Sequence, residues 1–210
     1  MESAPDLHRR AQLLSWFTIA YNVIECALSI FAGLAAGSVA LIGFGLDSAI
    51  ESLSAGIMVW RFAKHGKITE EEEERVERRA ERLVGFTFLI LAAYVLYESV
   101  EKLLSREIPE PSLLGMGIAV ASIIIMPVLY AAKLRTGRAI GSGSLIADAK
   151  ETLACAFLSV ALLMGLGANY FFGFWQADPI AGFVIVIFLA REGLEILRGE
   201  EVEDVEAAGE

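Results

Sequence analysis

Apolar residues along this chain fall in long blocks rather than in alternation. Six stretches, at about residues 13–35, 38–60, 83–104, 112–132, 143–166 and 179–197, carry few charges. A helix needs roughly twenty consecutive apolar residues to cross the hydrocarbon core of a bilayer. Within that core the backbone must satisfy its own hydrogen bonds. The pattern therefore predicts an all-α membrane protein with six transmembrane helices. The first block is not expected to be a cleaved signal, whose apolar region runs about 7–15 residues. It also holds Asn22 and Glu25.

The polar stretches between the blocks predict boundaries and orientation. Thr69 and Glu72 have the spacing of a capping box. They predict a charged cytoplasmic helix over about 69–82 that runs into the third span. The acids from Glu70 to Glu74 suit its N-terminal dipole, a solvated helix start being the simpler reading beside a cation-collecting patch. Asp178-Pro179 predicts an N-cap and a first helical residue for the sixth span. Residues 1–12 are expected to be a cytoplasmic segment, and 199–210 an acidic disordered tail with no second domain after it. If both termini are cytoplasmic, fourteen of the seventeen Lys and Arg residues fall on that side, including Lys133, Arg135 and Arg138 in a loop after helix 4. The excess of inside positive charge predicts that orientation.

Composition narrows the function. The chain has 210 residues, 56% hydrophobic and 21% charged, with a formal net charge of −10. A soluble enzyme and a nucleic-acid binder are both excluded, the second because no basic face remains. Six spans leave no room for a nucleotide-binding domain, and no phosphate-binding Gly-rich loop occurs. Any transport is therefore expected to run on gradients. The two cysteines, Cys26 and Cys155, lie in separate apolar blocks and do not form a disulfide framework.

Ionisable groups inside a bilayer are costly and mark function. In helix 2, Asp47 and Glu51 stand nine and thirteen residues past Ser38. In helix 5, Glu151 and Cys155 stand nine and thirteen past Ser142. Residues four apart share a helix face, so each helix presents a two-donor stripe. The offset is 104 residues and three helices. An odd number of helices makes the two stripes run in opposite directions, as in an inverted repeat with a site near the midplane. Together, Asp47, Glu51, Glu151 and Cys155 form a four-donor set suited to a divalent transition metal. Asn22, Glu25 and Asp148 are candidates for a supporting shell. Glu25 serves equally well as an interhelical hydrogen-bond partner, and Asp148 as a residue that orients the helix. His8 and His65 lie outside the membrane.

At these residues the chain resembles the cation diffusion facilitator (cation efflux) family. GSVALIGFGLDSAIES in helix 2 is similar to that family's segment ending in paired acids. GSGSLIADAKETLAC in helix 5 is similar to its metal-binding segment, and WQADPIAGFVIVIFLAREGLEILRG to its sixth helix. Glu151 stands where the family typically has His, and Cys155 where it has Asp. The chain resembles a short form without the C-terminal cytoplasmic domain, similar to transmembrane-protein-163-like members. The resemblance implies proton-coupled efflux of a divalent metal by a homodimer in the plasma membrane, with no enzyme activity. Zinc is the expected cargo, since it tolerates carboxylate and thiolate alike, with iron, manganese, cobalt or cadmium as alternatives. Two other classes fit less well. A metal-binding membrane scaffold or modulator without transport would use the same donors. An intramembrane aspartyl hydrolase would need Asp47 and Asp148 as a dyad, and Asp148 is off the stripe.

Overall fold

The computed structural model describes residues 4–64 and 70–198. Among these residues there are six helices and no strand: α1 (Ala4–Ala36), α2 (Val39–Lys64), α3 (Glu70–Ser105), α4 (Leu113–Ile140), α5 (Gly143–Phe172) and α6 (Ala177–Arg198). Four segments, Leu7–Ala36, Val39–Trp60, Leu113–Ile140 and Gly143–Phe172, are long and apolar enough to cross a membrane by themselves. Large apolar side chains face outward all round the bundle. Phe31, Val128, Phe157 and Ile187 are each about two-thirds exposed, as contact with lipid rather than water requires.

The bundle is built from two matching hairpins. Gly37 and Gly141 sit in the left-handed region, at φ 64° and 66°, which glycine adopts without a Cβ clash. Ser38 N donates to Gly33 O, and Ser142 N to Gly137 O, both at 2.9 Å. Each serine oxygen then accepts from the backbone three residues on, Leu41 N at 3.1 Å and Leu145 N at 3.4 Å. One Gly-Ser pair thus ends one helix and caps the next. The hairpin arms cross tightly at the preceding turn. A Cβ at Gly33 would meet Ile42 Cγ1 at 2.7 Å, and one at Gly137 would meet Ile146 Cγ1 at 3.0 Å. All these pairs are 104 residues apart, so the repeat extends to α1 and α4, which the acidic stripes alone did not reach. The hairpins pack together through α1 on α4 and α2 on α5. The α3–α6 pair, close enough that a Cβ at Gly193 would meet Gly85 O at 2.9 Å, docks on α2 and α5.

Three sequence expectations change. Helix 4 does not end near residue 132 but continues to Ile140, leaving two residues before α5. Lys133, Arg135 and Arg138 are therefore helical, and Lys133 is fully buried. A charge ends a membrane helix only where it must reach water; Lys133 has partners inside. Asp178 does not cap its own helix. It sits in the first turn of α6 and its carboxylate reaches α2, accepting from Ser38 Oγ and, at 3.0 Å, from Val39 N. A carboxylate is well placed at the positive end of a helix dipole, and here the dipole is another helix's. Helix 1 begins at Ala4, well before residue 13. The charged segment and the third span form one continuous α3, as expected. Thr69 and the tail at 199–210 lie outside the described residues.

Asp178 and Lys102 together close this end of the molecule. The Lys102 ammonium donates to Gly37 O, and Glu110 N donates to Ala36 O at 2.8 Å. The α3–α6 pair is thereby tied to the α1–α2 turn. Asp178→Ala strands a buried hydroxyl and a backbone N–H, and each charged hydrogen bond lost is worth about 1.5–3 kcal/mol. Thermal unfolding in detergent should show a clearly lowered midpoint for Asp178→Ala, and a smaller loss for Asp178→Asn, which keeps one acceptor.

Candidate metal centre

Helix spacing brings the two acidic stripes to the same height. At about 1.5 Å per residue, nine and thirteen residues put the stripe residues roughly 13 and 20 Å from their hairpin turns. The turns lie at opposite ends of the bundle, so the stripes run past one another. Asp47 and Glu51 are both 4% exposed. Together with Glu151 they line one small cleft, walled by Phe88 of α3 and Phe188 of α6. A fourth acid, Glu192 of α6, lines the same cleft. It was missed in the sequence because it reads as part of the charged end of helix 6. The available signal was its place beside Leu189 and Gly193, both on the buried face of α6.

Cys155 is buried but is not among the cleft-lining residues. Its thiol lies beside the Glu51 carboxylate. Among the described residues, no three His, Cys, Asp or Glu side chains are gathered closely enough to hold one ion. The acids line the cleft wall without converging on one point. Converging carboxylates repel one another, and that repulsion opposes a closed shell of acids without a cation.

The supporting residues divide into two groups. On the α1 side, Glu25 is 3% exposed and both its oxygens are engaged. Tyr21 Oη donates to Oε1 at 3.0 Å, and Ser48 Oγ to Oε2 at 2.9 Å. Asn22 is fully buried next to Glu51, with neither amide atom in a directed hydrogen bond. On the α4 side stands Lys133, which the sequence placed in a loop. Its Nζ lies 2.8 Å from Asp148 Oδ2 and 2.8 Å from Thr152 Oγ1. The Asp148 contact is one of opposite charges rather than a well-directed hydrogen bond. Thr152 Oγ1 is in turn 2.8 Å from Glu51 Oε1. Asp148 is thus held by an ammonium, and the α4–α5 hairpin is connected to the acidic stripe of α2.

Comparison with known proteins agrees with this architecture. The cation efflux transmembrane domain family matches residues 15–200. Transmembrane protein 163 of Xenopus laevis is 23% identical, over 92% of this chain and 68% of its own length. The magnetosome protein MamB of Paramagnetospirillum magneticum is 26% identical, over 87% and 62%. The manganese efflux system protein MneS of Bacillus subtilis is 21% identical, over 90% and 69%. The chain spans about two thirds of the length of these relatives.

The buried ion pair has a stability consequence. Removing one partner leaves the other charge uncompensated, which costs about 3–5 kcal/mol. Lys133→Met should therefore lower the unfolding midpoint strongly. Lys133→Met/Asp148→Asn, which removes both charges, should recover most of the loss. Melting curves of the metal-free proteins in detergent measure this, and equal midpoints for the single and double variants would contradict the pairing.

Proposed function

We propose that this chain, which belongs to the cation efflux family, carries divalent transition-metal cations across the cell membrane in exchange for protons, through the cleft between α2, α5 and α6. The observation that carries this reading is the meeting of Asp47 and Glu51 with Glu151 on one cleft. These acids come from stripes on two separate hairpins that run in opposite directions. Acids facing one low-dielectric cleft cannot all be charged unless a cation joins them. A divalent ion needs deprotonated ligands, so its arrival expels protons. A cleft that opens alternately to the two sides then exchanges one for the other.

Zinc suits a shell in which Cys155 turns in to join Asp47, Glu51 and Glu151. A second reading rests on the cleft itself. Its donors, Glu192 included, are all carboxylates, a set that favours harder ions such as manganese or ferrous iron. Manganese is the ion in the name of the Bacillus subtilis relative. The outward apolar face of α3, with Leu83, Phe86, Ile90 and Tyr97 all more than half exposed, is the face assigned to a second copy of the chain.

Purified protein in liposomes, with a metal-sensing dye inside and an imposed pH gradient, tests the reading. Flux should rise with the opposing proton gradient. Asp47→Ala, Glu51→Ala and Glu151→Ala should each abolish it at near-normal expression; near-normal flux in two of the three would overturn the assignment. Metal-dependent stability with no flux in the wild type would instead identify a scaffold.

Cys155 decides between the two cargoes. If its thiolate joins the shell, Cys155→Asp should still transport but lose preference for zinc and cadmium over manganese and iron. In the same case Cys155→Ser should weaken transport of every metal. Competition among the four ions reads this directly. An unchanged order in Cys155→Asp would place the thiol outside the shell and favour the carboxylate set.

A further inference from the structure

Thr152 lies on α5 between Glu151 and Cys155, and it is fully buried. Its hydroxyl oxygen has three polar neighbours: Lys133 Nζ at 2.8 Å, Glu51 Oε1 at 2.8 Å and the Asp148 carbonyl at 3.0 Å. An ammonium can only donate, so Thr152 accepts from Lys133. The hydroxyl has one proton left to give. Glu51 is the nearer of the two acceptors, and a bond to a carboxylate is the stronger. The donors therefore line up from Lys133 to Thr152 to Glu51. Asp148, paired with Lys133, balances the ammonium's charge.

The consequence falls on the two oxygens of Glu51. Oε1 is held by Thr152. Oε2 makes no well-directed hydrogen bond, although Glu51 is 96% buried and lines the cleft; Asn22 and the Cys155 thiol lie beside the carboxylate. A buried carboxylate oxygen without a directed hydrogen bond is costly unless something else fills its place, and a cation is what it suits. The repeat gives a contrast. Ser48, 104 residues earlier, sends its hydroxyl to Glu25 on α1. The hydroxyl of α5 crosses to the opposite stripe, and that of α2 does not.

We propose that Thr152, backed by Lys133, is the positioning residue for Glu51: it fixes Oε1 and so presents Oε2 to the divalent cation in the cleft. The inference rests on the transport reading above. Ligating carboxylates are themselves held by hydrogen bonds, and loss of such support typically costs about 10–100-fold in metal affinity. Thr152 needs no contact with the ion to have this effect.

The test is binding of Zn²⁺ and of Mn²⁺, each alone, to the full chain in detergent, by competition with a chelating dye. Thr152→Val should weaken binding about 10–100-fold, while Thr152→Ser, which restores the hydroxyl, should bind like the wild type. In a Glu51→Gln background Thr152→Val should cost little more, because its effect passes through Glu51; a purely structural role would cost the same in both backgrounds. Wild-type affinity in Thr152→Val, or an equal loss in both backgrounds, would overturn the proposal. If the metal-free melting temperature shows that Val disturbs the packing, Thr152→Ala is read by the same criteria. A wild type that binds neither ion would remove the transport reading and this inference with it. Wild-type binding with an unaffected Thr152→Val removes this inference alone.

Discussion

Lys133 and Asp148 face each other at 2.8 Å with neither side chain reached by solvent, and Thr152 joins them to Glu51. This contact links the α4–α5 hairpin to the acidic stripe of α2. An unpaired charge at this depth would cost several kcal/mol. The ammonium is therefore the counterweight that lets α5 bring one more acid, Asp148, into a bundle already holding Glu25, Asp47, Glu51 and Glu151. Glu25 is handled differently, by two neutral hydroxyls from Tyr21 and Ser48. The two halves of the repeat share backbone geometry but not their charge.

That backbone geometry sets the depth of the chemistry. Each hairpin turns on a left-handed glycine followed by a capping serine, and each crosses at a glycine one turn earlier. The helix axes can approach there because no Cβ intervenes. With the turns at opposite ends of the bundle, Asp47 and Glu51 of α2 and Glu151 of α5 come to one cleft. The α3–α6 pair completes the cleft by adding Phe88, Phe188 and Glu192. It is tied to α2 at one end by Asp178 and Lys102. This leaves the acid-lined cleft between the α3–α6 pair and the other four helices.

Much of this was legible along the chain. The six apolar blocks marked six helices, and the 104-residue echo of the Gly-Ser and acidic positions marked an inverted repeat. The pairing of Asp47 and Glu51 four residues apart placed both on one face of α2. The resemblance to cation efflux proteins, seen in the same segments, agrees with the family match over residues 15–200. These features are local or periodic. They depend on helix geometry and on the thickness of a bilayer, both of which a sequence expresses directly.

Other features depended on which helices pack together. Lys133 resembled a loop cation because hydropathy scores a residue without its partner; Asp148 and Thr152 made it an interior residue. Asp178 had the sequence of a local cap, yet its nearest unsatisfied backbone N–H belonged to α2, 139 residues away. Glu192 stood in the charged end of helix 6, and docking of the α3–α6 pair brought it to the cleft. The stripe itself divided, with Asp47, Glu51 and Glu151 on the cleft and Cys155 behind Glu51. The sequence determined which ionisable side chains lie within the helices and how they are spaced. The tertiary structure decided which atoms of those side chains are engaged, because pairing energy in a low-dielectric interior depends on neighbours that only packing supplies.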